Sequence, residues 1–257
     1  MLLAVDIGNS SVSLGVFASD GKLVFQSRAE ASAGKSADEY AVLFRSFFEF
    51  HGVDHKSVAE CVLSSVFPPV THAVSRGVEM LTGCKPLEVG PGVKTGLNMK
   101  IDAQTQLGSD LVADAVAALS EFSAPLILVN MGTVTTFTAI NRGGVLDGVI
   151  ITSGVRTSMD SLARYASELP DISVAAPKRV IGKNTGDSMC SGILYGHAAM
   201  LDGMVERIAE EMKESKVTVV VTGGLASTVM PYCRTRMEYR PDLTLTGLYL
   251  IARKNKR

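Results

Sequence analysis

The chain has 257 residues, of which 46% are apolar and 20% charged, and its net charge is −1. Because this length and apolar content suffice for a full core, we expect one large domain or two ordinary ones, without extensive disorder. The near-zero charge, with a Lys/Arg block only in the tail 253–257, argues against nucleic acid as the main partner.

Cysteine and histidine usage argues against a zinc site. The four cysteines stand at positions 61, 84, 190 and 233, without CxxC or another metal-ligand spacing. His51 and His55 are the one close histidine pair, and we expect them to flank a helix end rather than to bind metal. Such thiols are typical of a reduced cytoplasmic protein.

The N-terminus does not resemble a targeting segment. The opening MLLAVDIG has no basic region and reaches Asp6 after five residues, which argues against a signal peptide. No apolar run approaches the length that spans a bilayer. We therefore expect a soluble cytoplasmic protein without a membrane partner.

The first half of the chain predicts three strands followed by helices and single strands. Polar turns separate the first three apolar runs, and Ser36 with Glu39 forms a capping box before an amphipathic helix. The predicted elements are strands at 2–8, 11–17 and 22–28, a helix at 37–50, a strand at 61–66, a helix at 70–82, a strand at 87–89, a loop-rich stretch at 91–106 and a helix at 111–120.

The second half repeats this order of elements, so each half follows β-β-β-α-β-α. This order predicts an α/β protein with mixed sheets flanked by helices. The boundary is expected near 121–124, giving an N-terminal domain 1–121 and a C-terminal domain 122–257. The predicted elements are three strands between 126 and 151, helices at 154–168 and 187–213, a strand at 217–221 and a helix at 243–254.

One pattern occurs twice, at Leu2–Phe17 and at Leu126–Ile140. Each copy has an apolar run, a polar turn with one Gly and a second alternating run, which predicts a β-hairpin. Such a tip binds phosphate well because N–H groups and hydroxyls converge there, and two tips facing across a cleft would clamp a nucleotide. The alternative is an ordinary turn in each half. The matched pairs are Asp6 with Asn130, Gly8 with Gly132, Asn9 with Thr133, and Ser11 with Thr135.

Two carboxylates are candidates for chemistry. Asp6 ends a buried strand, where a charge is costly without a partner, so it would either lie near magnesium or accept hydrogen bonds from the turn. Asp110, in Gly108-Ser109-Asp110, precedes a helix and would be a general base for a substrate hydroxyl or, like Ser109, an N-cap. Residue type alone leaves both alternatives open.

Two glycine motifs have more than one interpretation. Thr222-Gly223-Gly224 follows a strand and would either approach a phosphate or ring or form a simple turn. Ile181–Thr185 contains GKxT, but Pro177 stands where a P-loop needs its first Gly, so this is an anion-friendly segment before a helix rather than a P-loop. The helix that follows carries a stripe of small residues, which favours core packing or a subunit contact: Gly192, Gly196, Ala199 and Gly203.

In their order along the chain, these motifs resemble those of type III pantothenate kinases, and the resemblance covers essentially the whole chain. It rests on Asp6–Ser10, Gly108–Asp110, Gly132–Thr136, Ile181–Thr185 and Thr222–Leu225. The resemblance implies two ribonuclease H-like domains of the actin/hexokinase type with a cleft between them. It also implies a homodimer that transfers phosphate from ATP to pantothenate, the first step of coenzyme A biosynthesis.

The resemblance further implies roles for individual residues. Asp110 would be the catalytic base, with Gly108 and Ser109 beside it at the substrate. Thr185 would contact pantothenate in the site of the other subunit. Magnesium would bind near Asp6, and a monovalent cation such as potassium or ammonium near Asn130. The ATP phosphates would lie against Asp6, Gly8, Asn9, Ser10, Gly132, Thr133, Thr135, Thr136, Gly223 and Gly224.

Four positions differ from the family pattern. Asn130 replaces the Asp of the cation site, Leu111 replaces an Arg after the catalytic Asp, and Ile101 stands near the place of a Tyr that holds pantothenate. Ser153-Gly154 replaces a Pro-Gly turn. The neutral amide of Asn130 is expected to weaken binding of a cation, and the aliphatic side chain of Leu111 is expected to weaken binding of the pantothenate carboxylate. The alternatives are a weak or inactive relative that binds nucleotide or a partner as a regulator, and a kinase for another small alcohol.

Overall fold

The computed structural model describes residues 1–102 and 107–256. The chain forms two compact units. The first comprises Met1–Leu97, Asp102–Ser120 and Asp242–Arg257, and the second comprises Asn98–Ile101 and Glu121–Pro241. Part of the predicted loop-rich stretch at 91–106, and Arg257 of the basic tail, lie outside the described residues.

The helices and strands follow the predicted order. In the first half they are β1 (Leu2–Ile7), β2 (Ser11–Phe17), β3 (Leu23–Glu30), α1 (Ala37–Phe50), β4 (Glu60–Ser65), α2 (Pro68–Thr82), β5 (Leu87–Glu88), β6 (Asn98–Met99) and α3 (Ser109–Glu121). In the second half they are β7 (Leu126–Met131), β8 (Val134–Ile140), β9 (Val145–Ser153), α4 (Val155–Tyr165), α5 (Thr185–Glu211), β10 (Thr218–Thr222), α6 (Ala226–Val229), β11 (Glu238–Tyr239) and α7 (Leu243–Lys254).

The capping box of α1 is confirmed, because the Glu39 N–H donates to Ser36 Oγ and the Ser36 N–H donates to Glu39 Oε2 at 2.7 Å. His51 is the C-cap of the same helix, as expected of a residue at a helix end. Pro68 starts α2, where its missing N–H has no intrahelical partner to lose. The short elements β6, β11 and α6 were not predicted, because two to four residues carry no periodic pattern.

The first unit contains a five-stranded sheet in the order β3-β2-β1-β4-β5. The β1–β2 and β2–β3 pairs are antiparallel, whereas β4 runs parallel to both β1 and β5. One face of the sheet packs on α1 and α2, through a core that includes Tyr40, Phe44 and Phe48. The other face carries Asp6 and Ser64 at the carboxyl ends of β1 and β4.

Helix α7 covers part of that second face. Its Leu245 side chain lies so close to Gly15 of β2 that a β-carbon on the glycine would be 3.1 Å away, and its Gly247 lies against the Ala113 carbonyl of α3. The segment from Asp242 is therefore part of the first unit, not of the domain 122–257 to which the sequence analysis assigned it. The reason is that the apolar side of α7 has its partners in β1, β2 and β4.

The second unit contains a six-stranded sheet in the order β11-β10-β7-β8-β9-β6. Strands β7, β8 and β9 are antiparallel neighbours, and β10 runs parallel to β7. Five of these strands repeat the order of the first sheet, and β6 adds a parallel edge to β9. Helices α4 and α5 pack on one face through a core that includes Met131, Phe137 and Met159.

Strand register corrects one detail of the sequence repeat. Asp6 pairs with Ser13 across the first hairpin, and Asn130 pairs with Thr136 across the second. The predicted match of Ser11 with Thr135 is therefore wrong. The reason is that residues 8–10 separate the first two strands, whereas only residues 132–133 separate β7 from β8.

No helix among the described residues is both long and apolar enough to cross a membrane. All four cysteines are free thiols.

Candidate functional site

The first hairpin tip has a fixed backbone and exposed side chains. The Gly8 N–H donates to the Ser11 carbonyl at 2.9 Å, which closes the turn. The Ser10 carbonyl accepts from the Ala31 N–H at 3.1 Å, which ties the tip to the end of β3. Asn9 and Ser10 are exposed. Both side chains therefore face solvent at the end of the first sheet.

Asp6 lies in a setting that disfavours its charge. The pKa of Asp6 is raised from 3.8 to about 7, chiefly by burial and secondly by the nearby charge of Asp110. A hydrogen bond from Ser64 Oγ to Asp6 Oδ1, at 2.5 Å, and the charge of Arg28 act in the opposite direction. A cation bound beside this carboxyl group would stabilise its ionised form and lower its pKa.

The start of α3 is fastened to the end of β4. The Ser65 N–H donates to Ser109 Oγ at 3.2 Å, and the same hydroxyl donates to the Ser65 carbonyl at 3.4 Å. Both Ser109 and Asp110 already lie inside the helix. The N-cap interpretation of Ser109 is therefore wrong, since its hydroxyl bonds to the backbone of Ser65 at the end of β4 instead of to an N–H group of its own helix.

Asp110 is a half-buried carboxyl group at this helix start. Burial raises its pKa, and a hydrogen bond from the Leu111 N–H to Asp110 Oδ1, at 2.9 Å, lowers it. A β-carbon on Gly108 would collide with Asp110 Oδ1, so only glycine leaves the carboxylate in this position. Leu111 itself is 7% exposed and belongs to the interior of the first unit.

The second hairpin tip is fastened to the start of α4. The Thr133 carbonyl accepts from the Gly154 N–H at 3.2 Å and from Thr157 Oγ1 at 2.6 Å. A β-carbon on Gly154 would lie 2.5 Å from that carbonyl oxygen. Gly132 closes the turn through its N–H, which donates to the Val134 carbonyl at 3.0 Å. Glycine at position 154 is thus required by the tip itself.

Two buried hydroxyls of β8 lack partners within residues 1–102 and 107–256. They are Thr135 Oγ1 and Thr136 Oγ1, in side chains that are 0% and 7% exposed. A buried polar group without a hydrogen bond costs about 1–3 kcal/mol. Thr136 pairs directly with Asn130 across the hairpin. Successive residues of a strand face opposite sides of the sheet, so only Thr136 shares the face of Asn130, where a ligand oxygen or a cation would give its hydroxyl a partner.

The glycine pair after β10 has a structural explanation. Gly223 has a φ of 103°, and a β-carbon on it would lie 2.5 Å from the Met131 carbonyl oxygen. Only glycine fits there, whatever ligand binds. Gly224 is exposed, and Thr222 is buried beside Asn130 through the β7–β10 register.

The GKxT segment leads into α5. Asn184 is the N-cap of that helix, and its Oδ1 accepts from the Asp187 N–H at 2.8 Å. Ser191 Oγ holds the segment by donating to the Val180 carbonyl at 2.5 Å. Thr185 is the first helical residue and is exposed. The structure does not bring Thr185 into hydrogen-bond contact with the other candidate residues of the second unit.

Sequence reasoning missed two residues beside Asp6. Ser64 lies next to Asp6 in the parallel β1–β4 register, and Arg28 lies next to Ser13, which in turn pairs with Asp6. The signal for Ser64 was present, because it ends an apolar run and the carboxyl ends of parallel strands meet at one edge of a sheet. Arg28 had no such signal, since only the register of three strands aligns it.

Comparisons with known proteins agree on family and fold. A family model for type III pantothenate kinase matches residues 2–207. A curated type III pantothenate kinase of Shouchella clausii (strain KSM-K16) is 40% identical over 256 residues, covering 100% of both chains.

Solved structures show the fold. A Baf-family protein of Campylobacter jejuni has a TM-score of 0.59 at 17% identity over 98% of both chains. A ROK hexokinase of Thermus thermophilus has a TM-score of 0.51 at 12% identity over 97% of both chains. The predicted fold class, mixed sheets flanked by helices in an actin/hexokinase-type fold, is confirmed.

Proposed function

This chain belongs to the type III pantothenate kinase family, and we propose that it transfers the γ-phosphoryl group of ATP to the primary hydroxyl of pantothenate. The products are 4'-phosphopantothenate and ADP, and the reaction is the first step of coenzyme A biosynthesis. The observation that carries the proposal is the carboxylate pair of the first unit. Asp6 and Asp110 lie close enough for one charge to act on the other, near a hairpin tip with exposed polar groups.

Asp110 is the proposed general base. Its raised pKa makes it a better proton acceptor than an ordinary surface carboxylate, and the Leu111 N–H keeps it oriented. It accepts the proton of the primary hydroxyl while the hydroxyl oxygen forms a bond to the γ-phosphorus and the bond to ADP breaks. Gly108 and Ser109 hold the helix start, and so the carboxylate, in place. Thr185 is proposed to contact pantothenate.

Magnesium fits the donor set at Asp6. This cation is usually held by one or two carboxylates together with substrate phosphates. Among the described residues no cluster of three or more His, Cys, Asp or Glu side chains is arranged to hold a metal, so Asp6 would share the ion with the ATP phosphates. When bound, magnesium neutralises phosphate charge. Asp6 supplies an oxygen ligand, and Ser64 keeps its carboxylate oriented.

The hairpin tips are the proposed phosphate-binding groups. In the first unit they are Gly8, Asn9 and Ser10. In the second unit the unpartnered hydroxyl of Thr136 favours a site for phosphate oxygens or a monovalent cation beside Asn130, and Thr135 is proposed as a phosphate-binding residue from the family resemblance. Because Asn130 is neutral, we expect it to bind such a cation weakly. The remaining proposed phosphate-binding residues are Gly132, Thr133, Gly223 and Gly224.

A homodimer is also proposed, with a location in the cytoplasm, where free thiols stay reduced. On α5, β-carbons at Gly192 and Gly196 would point into open space, so another helix can approach closely there. Just before that helix, Val180 and Ile181 are 62% and 75% exposed. A second copy of the chain would cover this apolar surface and fill the space beside the glycines.

The test is a kinase assay on the purified protein with ATP, magnesium and pantothenate, following ADP release and the mass of the product. We expect 4'-phosphopantothenate in equal amount to ADP, and product formation about 10²–10⁴-fold slower with the Asp110→Asn variant. A panel of other small alcohols serves as the control. ADP release with another alcohol would make the chain a kinase of different specificity. Nucleotide binding without transfer to any alcohol would leave only the regulatory alternative.

A further inference from the structure

Four polar side chains form a row across the first sheet, at one level of the strand register. Arg28 of β3 pairs with Ser13 of β2, Ser13 with Asp6 of β1, and Asp6 with Ser64 of β4. Hydrogen bonds join both ends of the row. Arg28 Nε donates to Ser13 Oγ at 3.2 Å, and Ser64 Oγ donates to Asp6 Oδ1. We call these four residues the Asp6 row.

Arg28 is held in place but keeps most of its hydrogen-bonding capacity. The bond to Ser13 uses Nε alone, and within residues 1–102 and 107–256 no carboxylate forms an ion pair with Arg28. Arg28 is exposed, whereas Ser13 separates it from Asp6 within the row. The Ser13 bond therefore leaves the two terminal nitrogens of Arg28 as donors, and its positive charge lies on the face that carries Asp6.

The equivalent row in the second unit carries no charge. Its register aligns Ile151 of β9, Thr136 of β8, Asn130 of β7 and Thr222 of β10. Ile151 occupies the place equivalent to Arg28 and is 67% exposed. Folding therefore requires neither an apolar nor a charged side chain at this place in the row. The arginine is a feature of the unit that contains Asp6 and Asp110.

We propose that Arg28 is a phosphate-binding residue of the kinase, whose terminal nitrogens hydrogen-bond the γ-phosphoryl group of ATP beside Asp6. This inference rests on the proposed function. A guanidinium group matches phosphate oxygens with two parallel N–H bonds, and its charge offsets that of the transferred group. The carboxylate of pantothenate is the other anion that Arg28 could bind. The γ-phosphoryl group is favoured because the Asp6 row contains the proposed magnesium ligand, Asp6, and lies beside the first hairpin tip.

Calorimetric binding to two nucleotides tests the proposal. The probes are magnesium complexes of AMPPNP, a non-hydrolysable ATP analogue, and of ADP, which lacks the γ-phosphoryl group. Arg28→Gln is expected to weaken AMPPNP binding about 10- to 100-fold, the range for a charge-assisted hydrogen bond, while ADP affinity changes less than threefold. Arg28→Lys should retain part of the AMPPNP affinity, since it keeps the charge but not the planar pair of donors. Gln26→Ala, on the same exposed side of β3, is the matched control and should change neither affinity.

Several outcomes would overturn the proposal. Equal losses for AMPPNP and ADP would place Arg28 away from the γ-phosphoryl group, and a lower melting temperature would reduce it to a structural residue. Unchanged AMPPNP affinity with a raised KM for pantothenate would assign Arg28 to the acceptor carboxylate. These binding measurements need no turnover. A protein that binds AMPPNP through Arg28 but does not phosphorylate pantothenate would contradict pantothenate as the acceptor and would still support the role of Arg28. A parent protein that binds neither nucleotide would contradict both.

Discussion

Replacing Asp6 by Asn should stabilise the ligand-free protein at neutral and alkaline pH while impairing nucleotide binding. The folded-state pKa of Asp6 is raised from 3.8 to about 7. Between these values the folded chain keeps a proton that the unfolded chain has released. The stability contributed by this group is therefore complete below pH 3.8 and is lost as the pH rises through 7.

The magnitude follows from the shift. A difference of 7 − 3.8, about 3 pH units, corresponds to about 4 kcal/mol at pH 8, since one unit is worth 1.36 kcal/mol. An Asn at this position keeps the Ser64 hydrogen bond, because its amide oxygen also accepts, and it removes the charge. The new amide N–H group, which is buried, is expected to cost about half of this gain. Asp6→Asn should therefore raise the melting temperature by roughly 4–8 °C at pH 8.

Scanning calorimetry in EDTA without nucleotide, at pH 5 and pH 8, measures this effect. The advantage of Asp6→Asn should be clearly larger at pH 8 than at pH 5, where the folded parent still holds the proton. Asp171→Asn, which changes an exposed carboxylate in the second unit, is the control and should shift neither temperature. A variant that is no more stable than the parent at pH 8, or equally more stable at both pH values, would refute the argument that burial opposes the Asp6 charge.

Four further outcomes follow. Because a proton and magnesium compete for the Asp6 carboxylate, magnesium-nucleotide affinity should fall up to about tenfold per pH unit below pH 7, and calorimetry should find this dependence weaker in Asp6→Asn, where the nucleotide phosphates still titrate. Asp110→Asn should lower kcat about 10²–10⁴-fold without lowering the melting temperature, since burial also opposes the charge of Asp110; unchanged turnover would remove its role as base. Gly223→Ala should cost at least about 2 kcal/mol in chemical denaturation, because of its φ of 103° and the Met131 carbonyl, whereas Gly148→Ala, with open space around it, should cost less than about 1 kcal/mol. Asn130→Asp should introduce activation of the kinase by potassium, because the carboxylate supplies the charge that the neutral amide lacks; turnover that stays the same with and without potassium would remove the cation site from this position.

The parts of the fold that follow local patterns could be predicted from the sequence. Alternating apolar runs with polar turns specified both hairpins, and the Ser36–Glu39 capping box marked the start of α1. The family motifs pointed to Asp6 and Asp110, and the geometry brings those two together in one unit. Their assignment as magnesium ligand and base stays a prediction.

What could not be predicted depends on contacts distant in sequence. The last helix packs against β1, β2 and β4, more than 170 positions away along the chain, and amphipathicity alone does not name a helix's partner. The one-residue difference between the hairpin tips became visible only in the strand pairing of Asn130 with Thr136. The register of three strands is what aligns Arg28 with Asp6, whereas the sequence around Arg28 predicts only an exposed strand position.

The central claim is that this chain phosphorylates pantothenate, and phosphorus NMR of the complete reaction tests it most directly. With ATP, magnesium, pantothenate and the purified protein, we expect a new phosphomonoester signal that grows as the γ-phosphate signal of ATP declines, and growth of this signal about 10²–10⁴-fold slower with Asp110→Asn. Release of inorganic phosphate alone, or an ATP spectrum that stays unchanged while nucleotide binding is intact, would contradict it.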